Sequence, residues 1–193
     1  YKSLALKENS FHSLIKEGTL LVDVGGGSIQ LSLYDKKTLI TTQNIMLGSL
    51  RIQEVLQDMQ YKTDNYQNLV YDYISHGLHT FVQLYLKSRK VKNIIAMGNQ
   101  LQSFVKYMTL HHFGTLKSTD ARYEKRNCVN RSEFDDFYKS ITSKTPDELA
   151  KELNTSLDKA SLLLPIAMIY RNILEETDAW QIWISGMTIC DGM

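Results

Sequence analysis

An aspartate two residues ahead of three consecutive glycines and a serine, Asp23-Val24-Gly25-Gly26-Gly27-Ser28, is the part of this chain best suited to chemistry. A strand that ends near a carboxylate, turns through glycines and returns as a second strand brings several backbone N–H groups close to one oxyanion. Glycine removes the side chains that would block that approach and permits positive φ. Gly25, Gly26, Gly27 and Ser28 are therefore the candidate phosphate-binding residues, with Ser28 adding a hydroxyl donor. Asp23 is the candidate catalytic carboxylate and metal ligand. Hard cations prefer oxygen donors and bridge to substrate phosphates, so Asp23 can hold Mg²⁺ directly or through water. A purely structural reading, a tight glycine hairpin with a capping aspartate, stands beside this one. Other phosphate motifs fail on spacing: the chain has no G-x-G-x-x-G and no G-x-x-x-x-G-K-[ST], and its loop leads into a strand rather than a helix.

The elements that must position this loop follow from hydrophobic periodicity. Residues 4–14 carry helical spacing. Runs at 19–24, 29–34 and 38–46, separated by the glycines and by Asp35-Lys36-Lys37, read as an antiparallel meander. Residues 49–60 predict a helix. A longer one follows from Asp64 as its cap to about Ser88, with Leu69, Tyr73, Ile74, Leu78, Phe81, Val82, Tyr85 and Leu86 tracing an apolar face. Residues 91–97 read as a strand ending at Gly98, and a helical pattern starts at Leu101. Ser132 with Asp135, and Thr145 with Pro146 and Glu148, mark two helix starts. Residues 156–175 predict a further helix, bent at Pro165, and 180–184 a last strand. The order favours an α/β fold, a mixed five-stranded sheet flanked by helices.

Composition narrows the partners. The chain has 193 residues, 22 basic and 21 acidic, for a formal charge of +1, so no field of one sign favours nucleic acid or an anionic membrane, and any anion must be held locally. No apolar run approaches the roughly 20 residues that cross a bilayer. Cys128 and Cys190 stand apart without a CxxC, so neither a disulfide framework nor a zinc site is expected, and a cytoplasmic location fits. His76, His79, His111 and His112 lack a recurring carboxylate or cysteine beside them in sequence and read as surface or packing residues. Arg122, Lys125, Arg126 and Arg131 form the densest basic stretch, a solvated loop or else a track for polyphosphate.

Residues 20–31, LLVDVGGGSIQL, resemble the VIDIGGGSTEL segment of the Ppx/GppA family, the exopolyphosphatases and guanosine pentaphosphate phosphohydrolases. Met46-Leu47-Gly48-Ser49-Leu50-Arg51 is similar to the family's LGAVRL step. Ile94-Ile95-Ala96-Met97-Gly98 resembles its later strand and glycine turn, and residues 180–192 its closing segment more faintly. The resemblance implies an RNase H-like fold of the actin-like ATPase superfamily, in which two lobes close over a phosphorylated ligand. Residues 1–193 would form the second, C-terminal lobe. The first lobe, its own phosphate loop and a catalytic glutamate would lie upstream of Tyr1. The resemblance further implies Mg²⁺, a second glycine turn at Gly98 and Asn99 against the phosphates, and polyphosphate or a guanosine penta- or tetraphosphate as ligand. Self-association as a homodimer is left open.

Several positions depart from the family pattern. Its glutamate corresponds to Gln30, a catalytic position at which the neutral amide neither accepts a proton nor binds a cation as a carboxylate does. The second turn reads Gly98-Asn99-Gln100 in place of G-G-T, and the closing R-E-G step reads Cys190-Asp191-Gly192. Two functional classes follow, a metal-assisted phosphoanhydride hydrolase and a sensor that binds such a ligand without turnover.

Overall fold

A computed structural model describes residues 11–60, 65–98, 101–113 and 127–184. A short helix α1 (Phe11–Leu14) leads into three strands, β1 (Gly18–Val24), β2 (Ile29–Asp35) and β3 (Thr38–Ile45), paired antiparallel in succession. Lys36 and Lys37 make the second turn with φ of 49° and 66°, the left-handed pair that a tight hairpin of matching twist needs. Helices α2 (Ser49–Gln60) and α3 (Tyr66–Phe81) follow, and α3 runs on through a π-helical turn over Val82–Leu86. Strand β4 (Val91–Met97) then returns parallel to β1. Next come α4 (Leu101–Leu110), β5 (Asn127–Asn130), α5 (Arg131–Thr142), α6 (Pro146–Glu152), α7 (Leu157–Ser161), α8 (Leu163–Glu175) and β6 (Gln181–Ile184).

The strands form one mixed sheet in the order β3-β2-β1-β4-β6-β5. It has six strands rather than the expected five. The added strand, β5, is four residues long and pairs antiparallel with β6, Cys128 opposite Trp183. Asn-Cys-Val-Asn has no alternation to announce a strand, and its pairing partner lies far along the chain.

Hydrophobic pattern decides which face each strand buries. Leu20, Val22 and Val24 of β1, with Ile29, Leu31 and Leu33 of β2, join the main core with α2, α3, α4, α5 and α8. Leu21 points the other way, into a smaller cluster with Phe11, Ile15, Tyr34, Ile95 and Met97. A strand covered on both faces reads as a continuous apolar run, which β1 does. Strand β3 forms the outer edge, with Leu39 and Ile40 exposed.

Local chemistry sets the helix ends. The box expected at Ser132 and Asp135 falls instead at Asn130 and Glu133. The Asn130 side chain accepts from the Glu133 N–H at 3.0 Å, and the Glu133 carboxylate accepts from the Asn130 N–H at 2.9 Å. Glutamate reaches back further than aspartate and closes the box. The Thr145–Glu148 box forms as expected, with Pro146 at the start of α6. The span 156–175 is two helices, because Pro165 has no N–H for the Ser161 carbonyl and the chain breaks at Leu162. Asn65 occupies the position before α3, and Asp64 lies outside the described residues.

Candidate functional site

The β1–β2 hairpin stands at the carboxyl edge of β1, where β1 turns to β2 on one side and pairs with parallel β4 on the other. Such a reversal at the carboxyl ends of strands leaves a crevice in which α/β sheets bind ligands. Asp23 lies in register with Gln30 on one side and Met97 on the other. Gly98 follows Met97 with φ 116°, and a Cβ there would stand 2.8 Å from both Asp23 Oδ1 and the Val24 carbonyl oxygen. Gly98 is therefore glycine on two counts, backbone conformation and the closeness of the carboxylate.

The hairpin is closed by one bond, Gly25 N–H to the Ser28 carbonyl at 2.9 Å. The Gly25 and Gly26 carbonyls are turned toward α2. The Gly25 oxygen accepts from the Ser49 N–H at 2.9 Å and from Ser49 Oγ at 3.3 Å, and the Gly26 oxygen accepts from the Leu50 N–H at 3.0 Å. Helix N-termini carry orphan N–H groups, and here the hairpin satisfies them. A trans peptide holds its C=O and the following N–H in opposite directions. With the Gly25 and Gly26 carbonyls drawn to α2, the Gly26 and Gly27 N–H groups must point away from it, toward the open side. Neither has an acceptor among the described residues. These peptide dipoles lie in series with the helix macrodipole and carry its positive end to the outer face of the loop.

Gly48 makes this docking possible. A Cβ on it would lie 2.2 Å from the Gly26 carbonyl oxygen and 2.4 Å from the carbonyl carbons of Gly26 and Gly27. Sequence reasoning had not named Gly48 as a site residue, although its place just ahead of the α2 N-terminus is the signal that points to it. The triplet does not use the positive φ that glycine permits: none of Gly25, Gly26 and Gly27 adopts it. They are useful as glycines because they leave space. A Cβ on Gly27 would meet nothing within 4 Å, and one on Gly26 would meet only the exposed side chain of Leu50.

Asp23 is half-buried, and desolvation raises its pKa above the ordinary carboxylate value. No cation offsets that among the described residues. Behind it, Tyr170 of α8 is fully buried and donates its hydroxyl to the Val22 carbonyl at 3.2 Å. Burial, and then the Asp23 charge, hold the Tyr170 pKa well above normal, so the phenol stays protonated and keeps donating. Gln30 sits beside Asp23 across the β1–β2 pair.

The structure thus brings together Asp23, Gly25, Gly26, Gly27, Ser28, Gln30 and Gly98. Asn99, the basic residues Arg122, Lys125 and Arg126, and the closing segment 185–193 lie outside the described residues. Arg131 is distant in role, donating to the Leu174 carbonyl at 2.9 Å. His111 is partnered after all: its Nε2 lies 2.7 Å from Glu152 Oε1 on α6. Among the described residues no cluster of three or more histidine, cysteine, aspartate or glutamate side chains forms, and no helix is long and apolar enough to cross a membrane. An oxygen site of one carboxylate fits Mg²⁺, which keeps several waters and shares substrate phosphates, better than it fits zinc.

An antiparallel three-stranded meander continued by parallel strands across β1, with helices flanking the sheet, defines an RNase H-like α/β fold. No family model and no curated protein matches the chain. Among solved structures it is similar to the Aquifex aeolicus Ppx/GppA phosphatase, with 14% identity and a TM-score of 0.72 over 98% of this chain and 58% of that one. It is also similar to an exopolyphosphatase from Cytophaga hutchinsonii, with 13% identity and a TM-score of 0.73 over 91% of this chain and 55% of that one. The resemblance read from residues 20–31 is thus borne out at the level of fold. The chain spans little more than half the length of those proteins.

Proposed function

We propose that this chain is the second, C-terminal lobe of a phosphoanhydride hydrolase acting on polyphosphate or on a guanosine penta- or tetraphosphate, and that its glycine hairpin holds a phosphoryl group. The observation that carries the reading is the pair of outward-turned Gly26 and Gly27 N–H groups, fixed by α2 and lacking any acceptor among the described residues. Ser28 adds its N–H and hydroxyl beside them. Asp23 is the residue that would hold Mg²⁺, supplying charge neutralisation at the bridging oxygens. Phosphoryl transfer depends chiefly on such positioning and neutralisation. Gly98 lets the end of β4 lie against the Asp23 carboxylate with no side chain between them, and Tyr170 steadies the strand end behind it.

Calorimetric titration with tripolyphosphate, with and without Mg²⁺, tests this. Saturable binding that strengthens with Mg²⁺ and is lost in Gly26→Val is expected. Since a Cβ at Gly26 meets only the exposed side chain of Leu50, the fold should survive Gly26→Val, and unchanged binding in that variant would remove the hairpin from the mechanism.

A second reading, a sensor that binds without turnover, is favoured by Gln30, which puts an amide beside Asp23 where the family pattern has a carboxylate. Phosphate release by the full-length protein separates the two readings. Turnover that rises in Gln30→Glu supports the enzyme, and ligand binding with no release supports the sensor.

A further inference from the structure

The break that Pro165 imposes between α7 and α8 has a hollow beside it. A cavity of about 350 Å³ lies among α2, the start of α3, the α5–α6 turn and the α7–α8 corner, within the size range of small-molecule sites. No hairpin residue lines it; its first residue on α2 is Gln53.

The floor is apolar, formed by Leu56, Leu149 and Ala160, all buried, with Pro165 at the corner. The walls carry the neutral amides of Gln53, Gln57 and Gln67 beside the hydroxyls of Thr142, Ser143 and Ser161. Lys144 also lines the cavity, but its ammonium is engaged by Glu152 at 2.7 Å and by the Tyr107 hydroxyl at 3.0 Å, so it brings no uncompensated charge. Gln53 donates to Ser161 Oγ at 2.6 Å, which fixes its rotamer and leaves its Oε1 as an acceptor. Gln57 makes no hydrogen bond among the described residues, so both halves of its amide are available.

An apolar floor with amide walls and no net charge suits a flat, uncharged ring whose edge sets a donor beside an acceptor. A glutamine amide offers the same pair in reverse and meets such an edge through two parallel hydrogen bonds. The geometry points to a binding site for a nucleobase in this cavity, its edge on Gln53 and Gln57 and its face on Leu149 and Pro165.

Three uncharged nucleosides, guanosine, adenosine and uridine, serve as probes, titrated into the chain by calorimetry with benzyl alcohol as an apolar control. At least one nucleoside should bind saturably and more tightly than benzyl alcohol. Gln57→Leu and Gln53→Leu should each weaken it about tenfold, the loss of one amide edge. Gln57 is exposed, so Gln57→Leu should leave the circular dichroism spectrum unchanged. Nucleoside binding should persist in Gly26→Val, which separates this site from the hairpin. No saturable binding by any of the three, binding that survives both glutamine substitutions, or equal binding of benzyl alcohol would overturn the proposal.

Discussion

Asp23 ionises in a half-buried position without a neighbouring cation among the described residues, and this has a thermodynamic sign. Its raised pKa means that the folded chain holds the proton more tightly than the unfolded chain does. The stability this contributes is present below the ordinary carboxylate pKa and is lost as pH rises through the folded value. At neutral pH the ionised side chain therefore opposes folding. Asp23→Asn should raise the midpoint of thermal unfolding at neutral pH, with the gain shrinking toward about pH 4, while Mg²⁺-dependent binding of tripolyphosphate disappears. Scanning calorimetry across pH checks the first part, and a lower midpoint at neutral pH would show that the ionised carboxylate stabilises the fold instead of opposing it. Activity held against stability is a common mark of a functional carboxylate.

At the scale of elements, the hairpin and α2 form one unit, and Gly48 is where they touch. Gly48→Ala drives a methyl into the backbone at Gly26 and Gly27. It should cost about 1–3 kcal/mol, lowering the unfolding midpoint by roughly 2–4 °C per kcal/mol in a domain of this size, and weaken tripolyphosphate binding together with stability. Gly26→Val should abolish binding with little change in midpoint. Equal midpoints for the two variants would contradict the packing described. The meander, α2 and β4 were legible because strand alternation and helical spacing are strong there, and α2 and β4 fall at the residues expected. What was not legible depended on distant partners. β5 exists through β6, and the start of α5 turned on whether aspartate or glutamate could close a box. The aspartate, the glycines and Gly98 could be read as a site from sequence, but the direction of the Gly26 and Gly27 N–H groups could not, since it is set by α2 from the far side of β3.

For the whole molecule, the proposed two-lobed reading gives this chain one wall of the site. Hydrolysis needs an activated water opposite the leaving oxygen and a surround that excludes solvent, and Asp23 with Ser28 can hold only one end of a substrate. The chain by itself should release no phosphate from polyphosphate or guanosine pentaphosphate above a Gly26→Val control. Steady Mg²⁺-dependent release, lost in Asp23→Asn, would overturn the two-lobed proposal. The parallel β1–β4 pairing also carries a kinetic consequence. The β1–β2 hairpin is local and can form within microseconds, but Gly98 reaches Asp23 only after the chain has looped through α2 and α3 to bring β4 alongside. Contacts of such sequence separation form slowly. The hairpin's shape is thus an early event in folding and its completed crevice a late one, and on refolding the capacity to bind a phosphate should return with the last phase rather than with the first appearance of β-structure.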